Sequence, residues 1–280
     1  MSLKHEWITL QGIRIHYFQA GASRAPVILL HGGGTDSASL SWGHLIGPLS
    51  MHYQVFAPDW PGYGASDRPA VEHSLSLYIS ILADFIQALS IEKPSLIGIS
   101  MGGAAALGFT LANPERVNKL VLVDSYGLQD RFASHALSYL FVHLPLINEF
   151  SWALVARNPS MRRASLAAIF SQPENISDEL MALVTEEVQR PGAGPAFRSF
   201  QKNEMSWRGM RTVYMDRLPE IRVPTLILHG AQDRLVPPRF AYEAHQKIEG
   251  SQLVLLENAG HWPQREQPEE FLKVVENFLG

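Results

Sequence analysis

The sequence contains no cysteine. That excludes a disulfide framework, a cysteine-ligated zinc site and a thiol nucleophile. Long apolar runs are missing as well. None approaches the roughly 18–20 residues needed to span a bilayer, and stretches such as 27–30 and 226–228 have the length of a strand. Neither sign of charge dominates: 23 basic against 27 acidic residues leave a net charge of −4. No cluster of Lys and Arg marks a nucleic-acid footprint. Charged residues make up only 18% and hydrophobic ones 46%, which excludes a disordered chain and supplies a sizeable core. The eleven histidines are scattered, with no HExxH pair of a zinc site. Lys4, His5 and Glu6 stand where a signal peptide would need an apolar core, so a cytoplasmic location is expected. The length of 280 residues fits one large domain or two small ones.

Two alternating runs at 7–10 and 13–18, split by Gln11-Gly12, predict an antiparallel hairpin at a sheet edge. From Val27 onward the pattern changes to short apolar strands at 27–30, 54–57, 95–99, 120–123, 225–228 and 253–256. Strands that are apolar throughout belong in a sheet covered on both faces. Helical periodicity lies between most of them, at 75–89, 101–112, 240–247 and 269–279. This alternation predicts a mostly parallel α/β sheet with right-handed crossovers. It is interrupted between Asp124 and Pro224 by helix-like pieces at 133–144, 148–155, 160–170 and 178–189. Pro145, Pro159, Pro173, Pro191, Gly192, Gly194 and Pro195 punctuate them. Such a stretch is too long for a loop. It predicts a helical cap over residues 127–218, inserted into a core made of 1–126 and 219–280. The segment is rich in aromatic side chains (Phe132, Tyr139, Phe141, Phe150, Trp152, Phe170, Phe197, Phe200, Trp207), most expected in its own core and a few facing an apolar pocket.

The chemistry centres on Gly98-Ile99-Ser100-Met101-Gly102, between the strand at 95–99 and a helix rich in small residues. A nucleophile on a sharp strand-to-helix turn leaves no room for neighbouring Cβ atoms, and the following helix offers N–H groups to developing negative charge. A serine hydroxyl needs a base, itself oriented by a carboxylate. Asp233 and His261 each follow a late strand, giving the order Ser100, Asp233, His261 along one edge of the sheet, where open α/β sheets bind ligands. Asp124 and Asp59 also follow strands and are the rival carboxylates; Asp124 could orient the histidine from the other side. His31-Gly32-Gly33-Gly34 follows the strand at 27–30. Its glycines let backbone approach a substrate, so the oxyanion donors are assigned to the N–H groups of Gly33 and Met101. His31 is expected to be structural. Gly32, Gly34 and Trp262 are the expected substrate contacts.

These pieces, with Asp59-Trp60-Pro61-Gly62-Tyr63-Gly64 and Gly260-His261-Trp262, resemble an α/β-hydrolase over nearly the whole chain. The resemblance implies an eight-stranded, mostly parallel sheet, a helical cap after the sixth strand, a nucleophile–acid–histidine triad and no cofactor or metal. Within that family the glycine loop, Ser100-Met101 and Gly-His-Trp are similar to hydrolases of meta-cleavage products, which split carbon–carbon bonds in dienoic acids. The pattern departs from theirs at Ile99 (usually Asn), at Thr35 (usually Pro) and near Val184, where they place a carboxylate-binding arginine. Arg157, Arg163 and Arg198 are the candidates for that role here. The leading expectation is therefore hydrolysis of a small carboxylic ester or related acyl substrate. Carbon–carbon hydrolysis is the alternative, and a ligand-binding receptor or scaffold that keeps the fold is the reading from another class. A small-molecule substrate is the expected partner, without nucleic acid or membrane; a homo-oligomer is left open.

Overall fold

The computed structural model describes residues 3–22, 25–132, 134–144 and 146–280. Ten strands and eleven α-helices follow one another among the described residues. A hairpin of β1 (Lys4–Leu10) and β2 (Ile13–Ala20) turns at Gln11-Gly12, both with positive φ. The sheet continues through β3 (Pro26–Leu30), β4 (Gln54–Pro58), β5 (Ser95–Ile99) and β6 (Leu120–Val123). Further along come β9 (Thr225–Gly230) and β10 (Gln252–Leu256). Eight strands form one sheet in the order β1-β2-β4-β3-β5-β6-β9-β10, and every pairing is parallel except those made by β2.

Successive side chains of a strand face opposite sides of the sheet, so each apolar strand feeds two cores. Ile28, Leu30 and Leu96 face α2 (Leu75–Ala88), α3 (Met101–Ala112) and α9 (Arg239–Lys247). Val27, Leu29, Ile97 and Ile99 face α1 (Ala38–Leu49) and α11 (Pro268–Leu279). Local sequence starts the helices: Ser37 and Ser74 cap α1 and α2 through their hydroxyls, and Pro268 opens α11, where its missing N–H costs nothing. Helix α1 was not expected, because its outer face carries Gly43, Gly47 and Pro48 instead of charged residues, which weakens both the helical propensity and the contrast with its buried stripe.

After β6 the chain leaves the sheet and returns at β9. Between them lie α4 (His135–His143), α5 (Ile147–Arg157), α6 (Pro159–Ala167), α7 (Asp178–Gln189) and α8 (Pro195–Glu204). A two-residue ladder of β7 (Met205–Ser206) and β8 (Gly209–Met210) follows. The expected helix start at Ala133 and the break at Pro145 fall outside the described residues. Helix α8 was not anticipated, since Pro191, Gly192, Gly194 and Pro195 read as loop; Pro195 instead occupies its first turn. A short α10 (Pro263–Glu266) links the end of β10 to α11.

Candidate active site

Ser100 sits between β5 and α3 with φ 50° and ψ −116°, a conformation that costs a non-glycine residue on the order of 1–2 kcal/mol. The turn is held from both sides. Its N–H donates to Val123 O at 2.9 Å, and its carbonyl accepts from Ala104 N at 3.0 Å and Tyr126 N at 3.1 Å. A Cβ at Gly98 would strike the carbonyl of Gly102, and one at Gly102 would strike that of Leu30. Two glycines flanking Ser100 are thus a steric requirement of the turn. The Ser100 side chain makes no capping bond to α3, which leaves first-turn N–H groups, Met101 among them, for another acceptor.

His261 follows β10 and Asp233 follows β9. His261 Nδ1 donates to Asp233 Oδ2 at 2.7 Å, and both residues are buried. That bond fixes the tautomer, leaving Nε2 as an acceptor. The other carboxylate oxygen accepts from Leu235 N at 2.7 Å and Val236 N at 3.1 Å. Burial opposes ionisation of Asp233, but the His261 imidazole outweighs it and the carboxyl falls to about 2. The histidine loop is stitched to the end of α6: His261 N donates to Ile169 O at 2.8 Å. Glu266 accepts from Gly260 N at 2.7 Å, Ser171 N at 2.7 Å and Ser171 Oγ at 2.9 Å. Sequence reading missed Glu266; the Pro-x-x-Glu turn after Trp262 was its only signal.

The rival carboxylates have other work. Asp59 ties His16 to the N–H groups of Ala38 and Ala65. Asp124 accepts from Gly230 N at 3.1 Å, while its Oδ2 has no hydrogen-bond partner. Burial, then the charge of Asp233, hold Asp124 protonated well above the carboxylate range. Asp124, His229 and Asp233 place ligand atoms within 4.8 Å of one another, the one such cluster among the described residues. The three atoms that face one another are engaged: His229 Nε2 donates to Val236 O at 2.7 Å, Asp124 Oδ1 accepts from Gly230 N and Asp233 Oδ2 from His261, while His229 Nδ1 and Asp124 Oδ2 have no partner. The donor set fits a hydrogen-bonded support for the acid better than a metal centre.

In the glycine loop, His31 Nε2 accepts from Trp60 N at 3.0 Å and its Nδ1 donates to Gly32 O at 2.8 Å. Burial keeps it neutral, with a pKa lowered to about 4. His31 is a brace, as the sequence suggested. A second brace was not foreseen: Asp36 accepts from Gly32 N and Ser37 N, each at 2.8 Å, and from Ser41 Oγ. Burial pushes its carboxyl up to about 7.

Ser100, His261, Gly32, Gly33, Gly34, Met101 and Trp262 all line one cavity of about 450 Å³. Asp233 stands behind His261, outside it. The opposite wall comes from the helical insertion and includes Phe141, Trp152, Val184 and Phe197. Phe150 and Trp207 face solvent instead, and Phe170 packs on Trp262 at 6.4 Å between ring centroids. The arginine candidates need correction. Arg157 and Arg163 are exposed, Arg198 pairs with Glu149 at 3.7 Å, and none of the three lines the cavity. Arg162 does, although the sequence offered nothing to distinguish it from Arg163. It is 4% exposed. Its Nη1 donates to Val155 O at 2.9 Å and Ala156 O at 2.8 Å, its Nε has no partner, and among the described residues no carboxylate pairs with it.

The sequence profile of the alpha/beta hydrolase fold matches residues 25–268. The 2-hydroxy-6-oxo-2,4-heptadienoate hydrolase of Pseudomonas putida is 32% identical over 271 residues, covering 96% of this chain and 93% of that one. The 2-hydroxy-6-oxo-6-phenylhexa-2,4-dienoate hydrolase of Comamonas testosteroni is 32% identical over 277 residues, covering 96% and 92%. Among solved structures, a meta-cleavage product hydrolase from Pseudomonas fluorescens superimposes with a TM-score of 0.82 at 29% identity, covering 98% of this chain and 96% of that one. With its eight-stranded sheet and a serine on the turn between β5 and α3, this chain belongs to the α/β-hydrolase fold family and is a hydrolase.

Proposed function

We propose that the chain hydrolyses a carbon–carbon bond in a small vinylogous keto acid of the meta-cleavage type, using Ser100, His261 and Asp233 as a triad. The observation that carries this reading is Arg162. A buried guanidinium without a counter-ion is costly, and a substrate carboxylate entering the same cavity supplies the missing charge and a bidentate acceptor. A neutral ester leaves that charge uncompensated. The dienoate substrates in the names of the relatives favour the same choice over the ester reading. The helical insertion would act as a cap, its apolar residues around Val184 and Trp152 receiving the group attached to the ketone.

The chemistry follows from the groups present. The dienol of such an acid first ketonises, its hydroxyl proton moving to the carbon beside the distal ketone. His261 Nε2 then takes the Ser100 proton as Oγ attacks that ketone. Asp233 holds the imidazolium, and the N–H groups of Gly33 and Met101 receive the oxyanion. When the tetrahedral carbon collapses, the carbon–carbon bond breaks. Its electron pair delocalises into the enone of the departing keto acid, which takes the proton from His261. Water, deprotonated by His261, releases the acyl group from Ser100 as a second acid.

The test is rapid mixing with 2-hydroxy-6-oxohepta-2,4-dienoate and its 6-phenyl analogue. The substrate absorbance should decay with multiple turnovers. Ser100→Ala should bind without turnover, and Arg162→Met should raise KM by about tenfold or more, as expected for a lost charge-assisted contact. Efficient Ser100-dependent hydrolysis of p-nitrophenyl esters with no decay of either dienoate would reject this reading in favour of an ester substrate.

A further inference from the structure

Residues 132–148 contain no Asp, Glu, Lys or Arg. They include α4 and the start of α5, two helices that meet at 86°. No single helix here is long and apolar enough to cross a membrane. The outer side of this arm is nonetheless apolar: Leu137 is 69% exposed, Leu146 74% and Phe150 72%, with Phe141 and Leu144 also exposed. Apolar exposure concentrated in one arm, rather than scattered singly, marks a surface that meets a partner.

Two observations decide which partner. The ridge is continuous with the cavity, because Phe141 is 41% exposed and also lines it, while Trp152 and Val155 of α5 form the cavity wall. The ridge is bordered by more cations than anions: against Arg131, Arg157 and Arg208 stand Asp130 and Glu149, the latter paired with Arg198 at 3.7 Å. Arg131 precedes α4 and Arg157 ends α5, and both are exposed and unpaired among the described residues. Trp207, 60% exposed and followed by the exposed Arg208, packs edge-on against Tyr139 of α4 at 5.4 Å. Apolar side chains at the crest, an aromatic at the edge and arginines on the flanks match the order of an anionic lipid interface from acyl chain to headgroup.

We propose that the α4–α5 arm docks on anionic lipid surfaces, its crest at Leu146 and Phe150 entering the headgroup region, so that an amphiphilic substrate, its carboxylate in the headgroup layer and its apolar end in the lipid, passes along Phe141 into the cavity. Docking does not depend on which bond the site cleaves, so it can fail without touching that reading, and the converse holds.

The test is flotation of the full chain with phosphatidylcholine vesicles, with and without phosphatidylglycerol. The chain should float with the phosphatidylglycerol vesicles, less so at high salt and weakly with phosphatidylcholine alone. Leu146→Asp with Phe150→Asp should weaken binding by roughly tenfold per side chain, and Arg131→Gln with Arg157→Gln should remove the preference for phosphatidylglycerol. Both variants should keep wild-type turnover of a water-soluble substrate, which shows that the fold is intact. A wild-type chain that stays at the bottom of the gradient with both vesicles overturns the proposal. So does a dimer in solution that Leu146→Asp with Phe150→Asp converts to monomer, because the ridge would then be covered by a second copy.

Discussion

At the scale of single residues, the site separates two buried carboxylates by what each faces. Asp233 meets an imidazole N–H and two backbone N–H groups and stays ionised. Asp124 meets one backbone N–H and the negative charge of Asp233, and keeps its proton. Their substitutions should therefore behave oppositely. Asp233→Asn should lower kcat by about 10³–10⁴-fold, the scale for an imidazole left in the wrong tautomer. Asp124→Asn replaces a neutral acid by its isostere and should leave kcat within a few-fold of wild type. Steady-state kinetics on the same substrate check both, and the reverse order would make Asp124 the acid of the triad. Sequence order and strand ends favoured Asp233 as the partner of His261 and kept Asp124 as its rival, because both sites read alike until the side chains are placed; the structure hydrogen-bonds His261 to Asp233. Arg162 and Arg163 show the same limit: adjacent residues on α6 point about 100° apart, and only one enters the cavity.

At the scale of elements, β5–Ser100–α3 was the most legible unit. Its glycines, apolar strand and small-residue helix satisfy local steric demands that operate within a few residues. The link between the histidine loop and the end of α6 was not legible, since Glu266 reaches Ser171 across 95 positions of sequence. Glu266 accepts three hydrogen bonds there, and losing a charged acceptor of this kind costs about 2 kcal/mol or more. Glu266→Ala should therefore lower the Tm. It should also reduce kcat, because Gly260 and His261 lose their seat, while KM for a small substrate changes little. Thermal unfolding and steady-state kinetics read the two effects. An unchanged kcat would mean that the loop is held by the His261–Ile169 backbone bond alone.

At the scale of the whole molecule, buried ionisable groups set the pH response of stability. His31 and His44 are lowered to about 4 by burial, and burial lowers His73 and His229 as well. The unfolded chain takes up these protons near pH 6.5 and the folded chain does not, so stability from these groups is full above that pH and lost as pH falls toward 4. Asp36, raised to about 7, acts in the opposite sense, as do Asp124 and Glu187, also raised by burial. The folded state holds protons there that the unfolded chain has released, which favours folding at low pH. Between pH 4 and 6.5 the histidines make stability rise with pH and these carboxyl groups make it fall. His44→Gln should make the slope of stability against pH less positive and Asp36→Asn should make it more positive, each by up to about 1.4 kcal/mol per pH unit. Chemical denaturation across this range checks both signs.

The sequence by itself determined the alternation of the sheet strands with most of the helices, the long helical stretch between β6 and β9, and the sharp glycine-flanked turn that carries Ser100. Those features rest on local sterics and hydrophobic period, which act over a turn or a strand. The tertiary structure decided which carboxylate carries charge, which arginine enters the cavity, which aromatics line it, and where α1 and α8 form. Each of those depends on burial and on partners far away along the chain, and neither exists until the sheet and the insertion have closed around one another.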